Sequence, residues 1–251
     1  LKAKRILLLG QGTALHAAMI GEYLLEGLAG IPTEVEFASE FRYRNPIVEE
    51  GTVAIAVSQS GETADTLAAV QEAKRRGATT LGVVNVVGSS IARETDAGVY
   101  LRVGPEIGVA STKAFIGQVG VLTMLSIYLG RRRHLGREEM LRLLTSYEEI
   151  PRKIESVLAQ SDHILDVTSK VVNRDNWLFL GRGLQYPVAL EGALKLKEIS
   201  YIHAEGMPAA EMKHGPIALI DKGMPVVILA TRDSQYEKVI GNMEEVRSRG
   251  G

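Results

Sequence analysis

The 251-residue chain contains no cysteine. That excludes disulfides, cysteine–zinc sites, iron–sulfur clusters and any thiol nucleophile within it. A charge imbalance is also missing, since 29 Lys+Arg face 30 Asp+Glu. Such a balance argues against a broad basic surface for nucleic acid and against an acidic tail. Aromatic residues are few, at 5%, within a 45% hydrophobic composition that is ordinary for a folded protein. Leu1-Lys2-Ala3-Lys4-Arg5 runs straight into a short apolar segment without the pattern of a secretory signal. No histidine–carboxylate spacing resembles a metal site, and no serine sits in a nucleophile elbow. Neither a metal nor a cofactor is expected. The longest apolar stretch, 114–129, is interrupted by Gly117, Gln118, Gly120, Thr123 and Ser126. A membrane span needs about 20 apolar residues, so a buried or interface helix is expected instead. Arg131-Arg132-Arg133 follows it, where cations suit the negative end of a helix dipole.

What is present is glycine and alternation. The 26 glycines stand above the roughly 7% average and suggest many tight strand–helix turns. Ile6-Leu7-Leu8-Leu9 has strand length and is stopped by Gly10-Gln11-Gly12. A helix is predicted over about 14–29, ended by Gly30 and Pro32. Strands are predicted over 35–38 and 53–57, the latter apolar on both faces, as a buried parallel strand should be. A helix over 64–76 closes at Gly77, and strands follow over 81–85 and 97–101. Residues 138–158 read as a charged helix pair broken at Pro151. Strands alternating with helices imply an α/β fold with a mostly parallel sheet.

The pattern then repeats. Leu178-Phe179-Leu180-Gly181-Arg182-Gly183 echoes Leu7-Leu8-Leu9-Gly10-Gln11-Gly12. Ala209-Ala210-Glu211-Met212-Lys213-His214 echoes Ala38-Ser39-Glu40-Phe41-Arg42-Tyr43 at the same offset, and residues 223–230 echo 51–58 after one residue of slip. Two unequal copies of one α/β unit are expected. The first continues through 79–130, and the second stops where the first stands at Gly77. A half-sheet leaves strand edges unpaired, so the natural protein is expected to extend beyond Gly251.

The most informative segment is Ser58-Gln59-Ser60-Gly61-Glu62-Thr63, between a buried strand and a helix. Ligands of open α/β sheets bind outside the carboxyl ends of the strands, and a helix N-terminus offers free N–H groups to phosphate. Ser58, Ser60 and Thr63 supply three hydroxyls, and Gly61 allows close approach. No Gly-Lys-Ser/Thr is present, so the cradle suits a phosphate monoester rather than a polyphosphate. Glu62 must point away. The competing explanation is an ordinary helix cap. Ala230-Thr231-Arg232-Asp233 of the second copy has no such cluster, which leaves one site per chain. Gly10-Gln11-Gly12 fails the dinucleotide fingerprint at Leu15, so Gly12 and Thr13 are expected to form a second wall of the same pocket. Glu191, Lys195 and Glu198 share a helix face and are either a surface salt-bridge ladder or a base–acid pair. His214 lies in a loop, where it is as easily exposed as functional.

Four blocks, 38–44, 58–66, 106–115 and 189–205, together resemble the isomerase part of the glutamine–fructose-6-phosphate aminotransferases (glucosamine-6-phosphate synthases). The resemblance implies tandem SIS (sugar-isomerase) domains, each a flavodoxin-like three-layer α/β unit, with the second incomplete. On it, 1–133 is a first SIS domain with the sugar-phosphate site, 134–170 connecting helices and 171–251 a truncated second SIS domain. It further implies that Ser58, Gln59, Ser60 and Thr63 hold the sugar phosphate beside Thr13, while Val109 and Ser111 line the sugar. Glu198 would move a proton between C1 and C2, assisted by Lys195. His214 would open the sugar ring, reaching a neighbouring subunit's site, so a homodimer is implied. Partners would be fructose 6-phosphate or glucosamine 6-phosphate and an N-terminal glutaminase domain, in the cytoplasm, without nucleic acid or membrane. Three departures stand out. Ala14 replaces the family's serine, and both the glutaminase domain and the family's C-terminal imine-forming lysine are absent. A stand-alone deaminase or deglycase of amino-sugar phosphates, or a sugar-phosphate sensor, is the alternative.

Overall fold

A computed structural model describes residues 3–251. Leu1 and Lys2, the start of the stretch 1–5 that lacks a secretory-signal pattern, lie outside the described residues. The chain divides into two compact units, Leu1–Leu135 and Gly136–Gly251.

The first unit is a five-stranded parallel sheet of β1 (Arg5–Gly10), β2 (Thr33–Phe37), β3 (Thr52–Ser58), β4 (Thr79–Val84) and β5 (Ala97–Tyr100), in the order β2-β1-β3-β4-β5. This is the flavodoxin-like order, which places a switch point between β1 and β3. Side chains alternate across a strand, so each β1 residue feeds one of two cores. Ile6 and Leu8 join Ala14 and Ala18 of α1 (Thr13–Leu24) and Leu122 and Leu129. Leu7 and Leu9 face the opposite side, towards α2 (Ala38–Phe41) and Ala69 and Ala73 of α3 (Ala64–Arg75). A short α4 (Ser90–Glu94) and the long α5 (Lys113–Arg131) complete three layers.

Two local departures from the sequence expectations have physical causes. The first helix changes to a π turn over Leu25–Ala29 before Gly30 ends it in the left-handed region. The strand predicted through residue 38 ends at Phe37, because Ala38 is wholly buried in the first turn of α2. By length and composition α5 could cross a membrane. Here its stripe Ala114, Gln118, Leu122 and Ser126 is buried against the unit it belongs to.

The second unit opens with α6 (Arg137–Glu148), α7 (Ile150–Leu158) and α8 (Ser161–Ser169), none of which has a buried residue. Pro151 sits in the first turn of α7, where a missing N–H costs nothing. A parallel sheet follows in the order β7-β6-β8, from β6 (Asn176–Gly181), β7 (His203–Pro208) and β8 (Val226–Ile228). Helix α9 (Gln185–Ser200) packs so closely that a Cβ at Gly206 would stand 2.7 Å from the Leu190 backbone. Helix α10 (Tyr236–Ser248) brings Val246 to Leu178 and Leu180.

The sheets carry the repeat in their register. Gly10 pairs with Phe37 and Gly181 with Pro208, each 27 positions on. Leu9 pairs with Ala56, 47 positions on, but Leu180 pairs with Ile228, 48 positions on. The one-residue slip therefore lies before the third strand. β8 is shorter than the segment 223–230 suggested, because β6 is its one neighbour among the described residues, whereas β3 is paired on both edges.

Candidate functional site

At the carboxyl end of β3 a cavity of about 180 Å³ is lined by Gln11, Thr13, Ser58, Ser60, Thr63 and Ser111, among others. Whole small-molecule pockets run to roughly 300–1,000 Å³, so this volume suits the phosphate end of a ligand rather than an entire hexose. The site lies at the switch point of the sheet, where the loops after β1 and β3 diverge.

The loop after β3 is built by its own polar groups. The Gly61 N–H donates to Ser58 Oγ at 3.0 Å, and the Glu62 N–H donates to Ser60 Oγ at 3.2 Å. Gly61 has φ 66°, and a Cβ there would collide with the Ser89 side chain, so no other residue fits without moving the loop. The loop is fastened to its neighbours by Asn85 N–H to the Gln59 carbonyl at 3.2 Å and Ile91 N–H to the Gly61 carbonyl at 2.9 Å. As bound acceptors, Ser58 and Ser60 each keep a hydroxyl proton to give a ligand.

Thr63 is the N-cap residue of α3; its side chain makes no capping hydrogen bond, and the residue lines the cavity. Glu62, the one acid in this loop, is turned away. It accepts the Ser90 N–H at 2.8 Å, and its hydrogen bonds with Ser90 hold its carboxyl below the usual range.

The opposite wall comes from the turn after β1 and from the entry to α5. Thr13 begins α1 after Gly12, whose φ is 53°, and Ala14 places a methyl in the lining where a serine was expected from the resemblance. Ser111 reaches the cavity while donating to Glu106 Oε2 at 2.7 Å. Glu106 also accepts the N–H groups of Thr112 and Lys113, at 2.7 and 3.1 Å, so one carboxylate organises the start of α5. Burial works to raise its pKa, but these hydrogen bonds outweigh it and lower the net value. The structure does not bring Val109 into this lining; it is 94% exposed. Gln59 does line the cavity, as expected.

The other expected residues lie in the second unit. Lys195 is paired with Glu198 at 2.5 Å and with Glu191 at 3.3 Å on one face of α9. This is not a surface ladder, because Glu191 is only 5% exposed. A buried carboxylate keeps its cation in place, so Lys195 is pinned where it can hold the half-buried Glu198 carboxylate in one orientation. His214 is exposed at the end of a short 3₁₀ turn, Glu211–His214.

Sequence reasoning missed Gln118 and Glu106. Gln118 was visible as a polar residue four positions from both Ala114 and Leu122, on the apolar stripe of α5. It lines the cavity. Glu106 gave no signal, because nothing in the sequence shows which acid caps a helix across a loop.

These features define an α/β protein with two sugar-isomerase-type parallel sheets and a hydroxyl-lined cavity at the switch point of the first. The SIS domain profile matches residues 1–128 and 170–251, and the chain belongs to the SIS domain family. Along its whole length it is 59% identical to a glutamine–fructose-6-phosphate aminotransferase (isomerizing) of Chlorobaculum tepidum. It is 56% identical to the protein of that name from Bacteroides thetaiotaomicron. The chain spans about 41% of the length of these curated relatives. Its structure matches the C-terminal domain of the Francisella tularensis glucosamine–fructose-6-phosphate aminotransferase with TM-score 0.97 and 40% identity. That match covers 100% of this chain and 71% of the other. A glucosamine-6-phosphate deaminase from Thermotoga maritima shares the fold at TM-score 0.78 and 26% identity, covering 99% of this chain and 74% of that one.

Proposed function

We propose that this chain is the isomerase portion of a cytoplasmic glutamine–fructose-6-phosphate aminotransferase, which forms glucosamine 6-phosphate from fructose 6-phosphate and ammonia released in a separate glutaminase domain. The observation that carries the reading is the gathering of Ser58, Ser60 and Thr63 around one cavity at the N-terminus of α3, with no capping hydrogen bond from the Thr63 side chain. Three hydroxyls around an electropositive helix end are chemistry for a phosphate monoester.

On this reading Ser58, Gln59, Ser60 and Thr63 bind the phosphate with Thr13, and Ser111 and Val109 bound the sugar chain. Ammonia replaces the C2 carbonyl oxygen of the open-chain ketose as an imine, releasing water. The imine makes the C1 proton acidic. The Glu198 carboxylate takes that proton and returns it to C2, leaving an aldehyde at C1 and an amine at C2. Lys195 holds Glu198 in orientation, and His214 assists opening of the sugar ring. SIS domains over 1–133 and 171–251, joined by 134–170, and a homodimer belong to the same reading. Exposed Ile154, Val157, Leu158, Ile164 and Leu165 on α7 and α8 are apolar surface of the kind a second copy covers.

The test is glucosamine 6-phosphate formation by the full polypeptide that carries this chain, supplied with fructose 6-phosphate and either glutamine or ammonia. Product from both nitrogen sources supports the reading. Release of ammonia from glucosamine 6-phosphate without synthesis indicates the deaminase alternative, and tight sugar-phosphate binding without turnover indicates a sensor.

A further inference from the structure

Two side-chain amides in the β3 cavity carry a polar atom that nothing in the protein satisfies. Gln118 is 1% exposed, and its Oε1 accepts no hydrogen bond. Gln11 lines the same cavity from the turn after β1, and its buried Nε2 donates to nothing. Among the described residues, the other buried unpartnered side-chain atoms belong to Thr52 and Ser89, and neither residue lines this cavity. Half of such atoms thus belong to residues that line this one cavity.

The position of Gln118 is not explained by packing. It occupies the apolar stripe of α5 with Ala114, Leu122 and Ser126. Ser126 satisfies itself by donating to the Leu122 carbonyl at 2.8 Å, a bond a glutamine amide cannot imitate with its acceptor oxygen. A buried amide oxygen without a donor is destabilising, and so is a buried amide N–H without an acceptor.

The two deficits differ in sign, which identifies the chemistry that removes them. A phosphate monoester dianion only accepts hydrogen bonds, so it can meet Gln11 Nε2 but not Gln118 Oε1. A hydroxyl both donates and accepts. We propose that Gln118 and Gln11 form a hydroxyl subsite beside the phosphate cradle, in which the sugar chain donates to Gln118 Oε1 and accepts from Gln11 Nε2. The subsite rests on the sugar-phosphate reading above and makes these amides specificity-determining, since they recognise the polyhydroxy chain rather than its phosphate. With Ala14 contributing only a methyl to the lining, the amides supply polarity on the wall where the serine of the resembled family is absent.

The test is calorimetric titration of the full polypeptide that carries this chain with fructose 6-phosphate and, separately, with inorganic phosphate. Gln118→Met keeps length and removes the acceptor. It is expected to weaken fructose 6-phosphate about tenfold, the loss of one neutral hydrogen bond, and to leave inorganic phosphate within about twofold. Gln118→Leu, which also removes the acceptor, is the second probe if the methionine variant does not fold. Equal weakening of both ligands would mean that the amides only shape the phosphate loop, and unchanged fructose 6-phosphate affinity would mean that water satisfies them. Either result overturns the subsite while leaving the sugar-phosphate reading intact. Wild-type protein that binds neither ligand overturns both.

Discussion

On the reading proposed above, Thr63 and Glu198 separate binding from chemistry. Because the Thr63 hydroxyl makes no cap bond, Thr63→Val should cost little stability, whereas loss of a real N-cap costs about 1 kcal/mol. Denaturant unfolding is expected to shift by less than about 0.5 kcal/mol. Sugar-phosphate affinity should fall at the same time, roughly tenfold for one lost hydrogen bond. A large stability loss with unchanged affinity would return Thr63 to the role of a cap. Glu198→Gln keeps shape and removes the base, so turnover should drop by a factor of about 10²–10⁴ or more while fructose 6-phosphate still binds. The hydroxyl cluster was legible because serine, threonine and glycine between a buried strand and a helix have few other reasons to gather. The amide pair was not, because what marks Gln118 is an unmet hydrogen bond, and this exists only once α5 is packed. Val109 shows the converse, since the resemblance assigned it a role and the structure leaves it exposed on the loop before α5.

Among elements, two loops decide the shape of the cavity. In the β3–α3 loop, Gly61 combines a positive φ with contact against Ser89. Gly61→Ala is expected to destabilise the first unit by about 1–3 kcal/mol and to remove phosphate binding, checked by unfolding and titration of the same sample. The loop before α5 depends on the Glu106 carboxylate. Its pKa in the folded protein lies below its ordinary value of 4.5, so ionised Glu106 stabilises this loop fully above that value. The contribution is lost as pH falls through the lowered value. Stability of the first unit, read by denaturant unfolding, should therefore hold from neutral pH to about 5 and fall on further acidification, and Glu106→Gln should flatten that acid limb while weakening sugar binding at neutral pH. An acid limb unchanged in the variant would remove Glu106 from the account. Strand and helix positions were largely readable from apolar runs stopped by glycine. Helix α8 was not, because its surface is exposed throughout and its sequence has no core-facing stripe.

At the scale of the whole molecule, the repeat is the organising fact. Identical 27-residue registers between the first two strands of each sheet, and registers of 47 and 48 to the third, show the same strand pairing used twice. The offsets were readable in the sequence because strand ends carry the same glycines, Gly10 and Gly181. The difference between the copies was readable too, since the dense Ser58-Gln59-Ser60-Gly61-Glu62-Thr63 cluster after β3 has no counterpart in Ala230-Thr231-Arg232-Asp233 after β8. On the reading proposed above, the first unit supplies the phosphate half of the chemistry and the second the carboxylate half, where Lys195 pairs with Glu198. The homodimer proposed here is checked by the solution mass of the full polypeptide, expected at twice that of one chain. The central claim, that these halves serve a single ketose–aldose isomerisation with amination, is tested most directly by measuring glucosamine 6-phosphate made from fructose 6-phosphate and ammonia by that polypeptide and by its Glu198→Gln variant. The account predicts product from the first and at least about a hundredfold slower formation from the second, with fructose 6-phosphate bound by both; a variant that turns over as fast as the parent, or a parent that binds the sugar and makes no product, would contradict it.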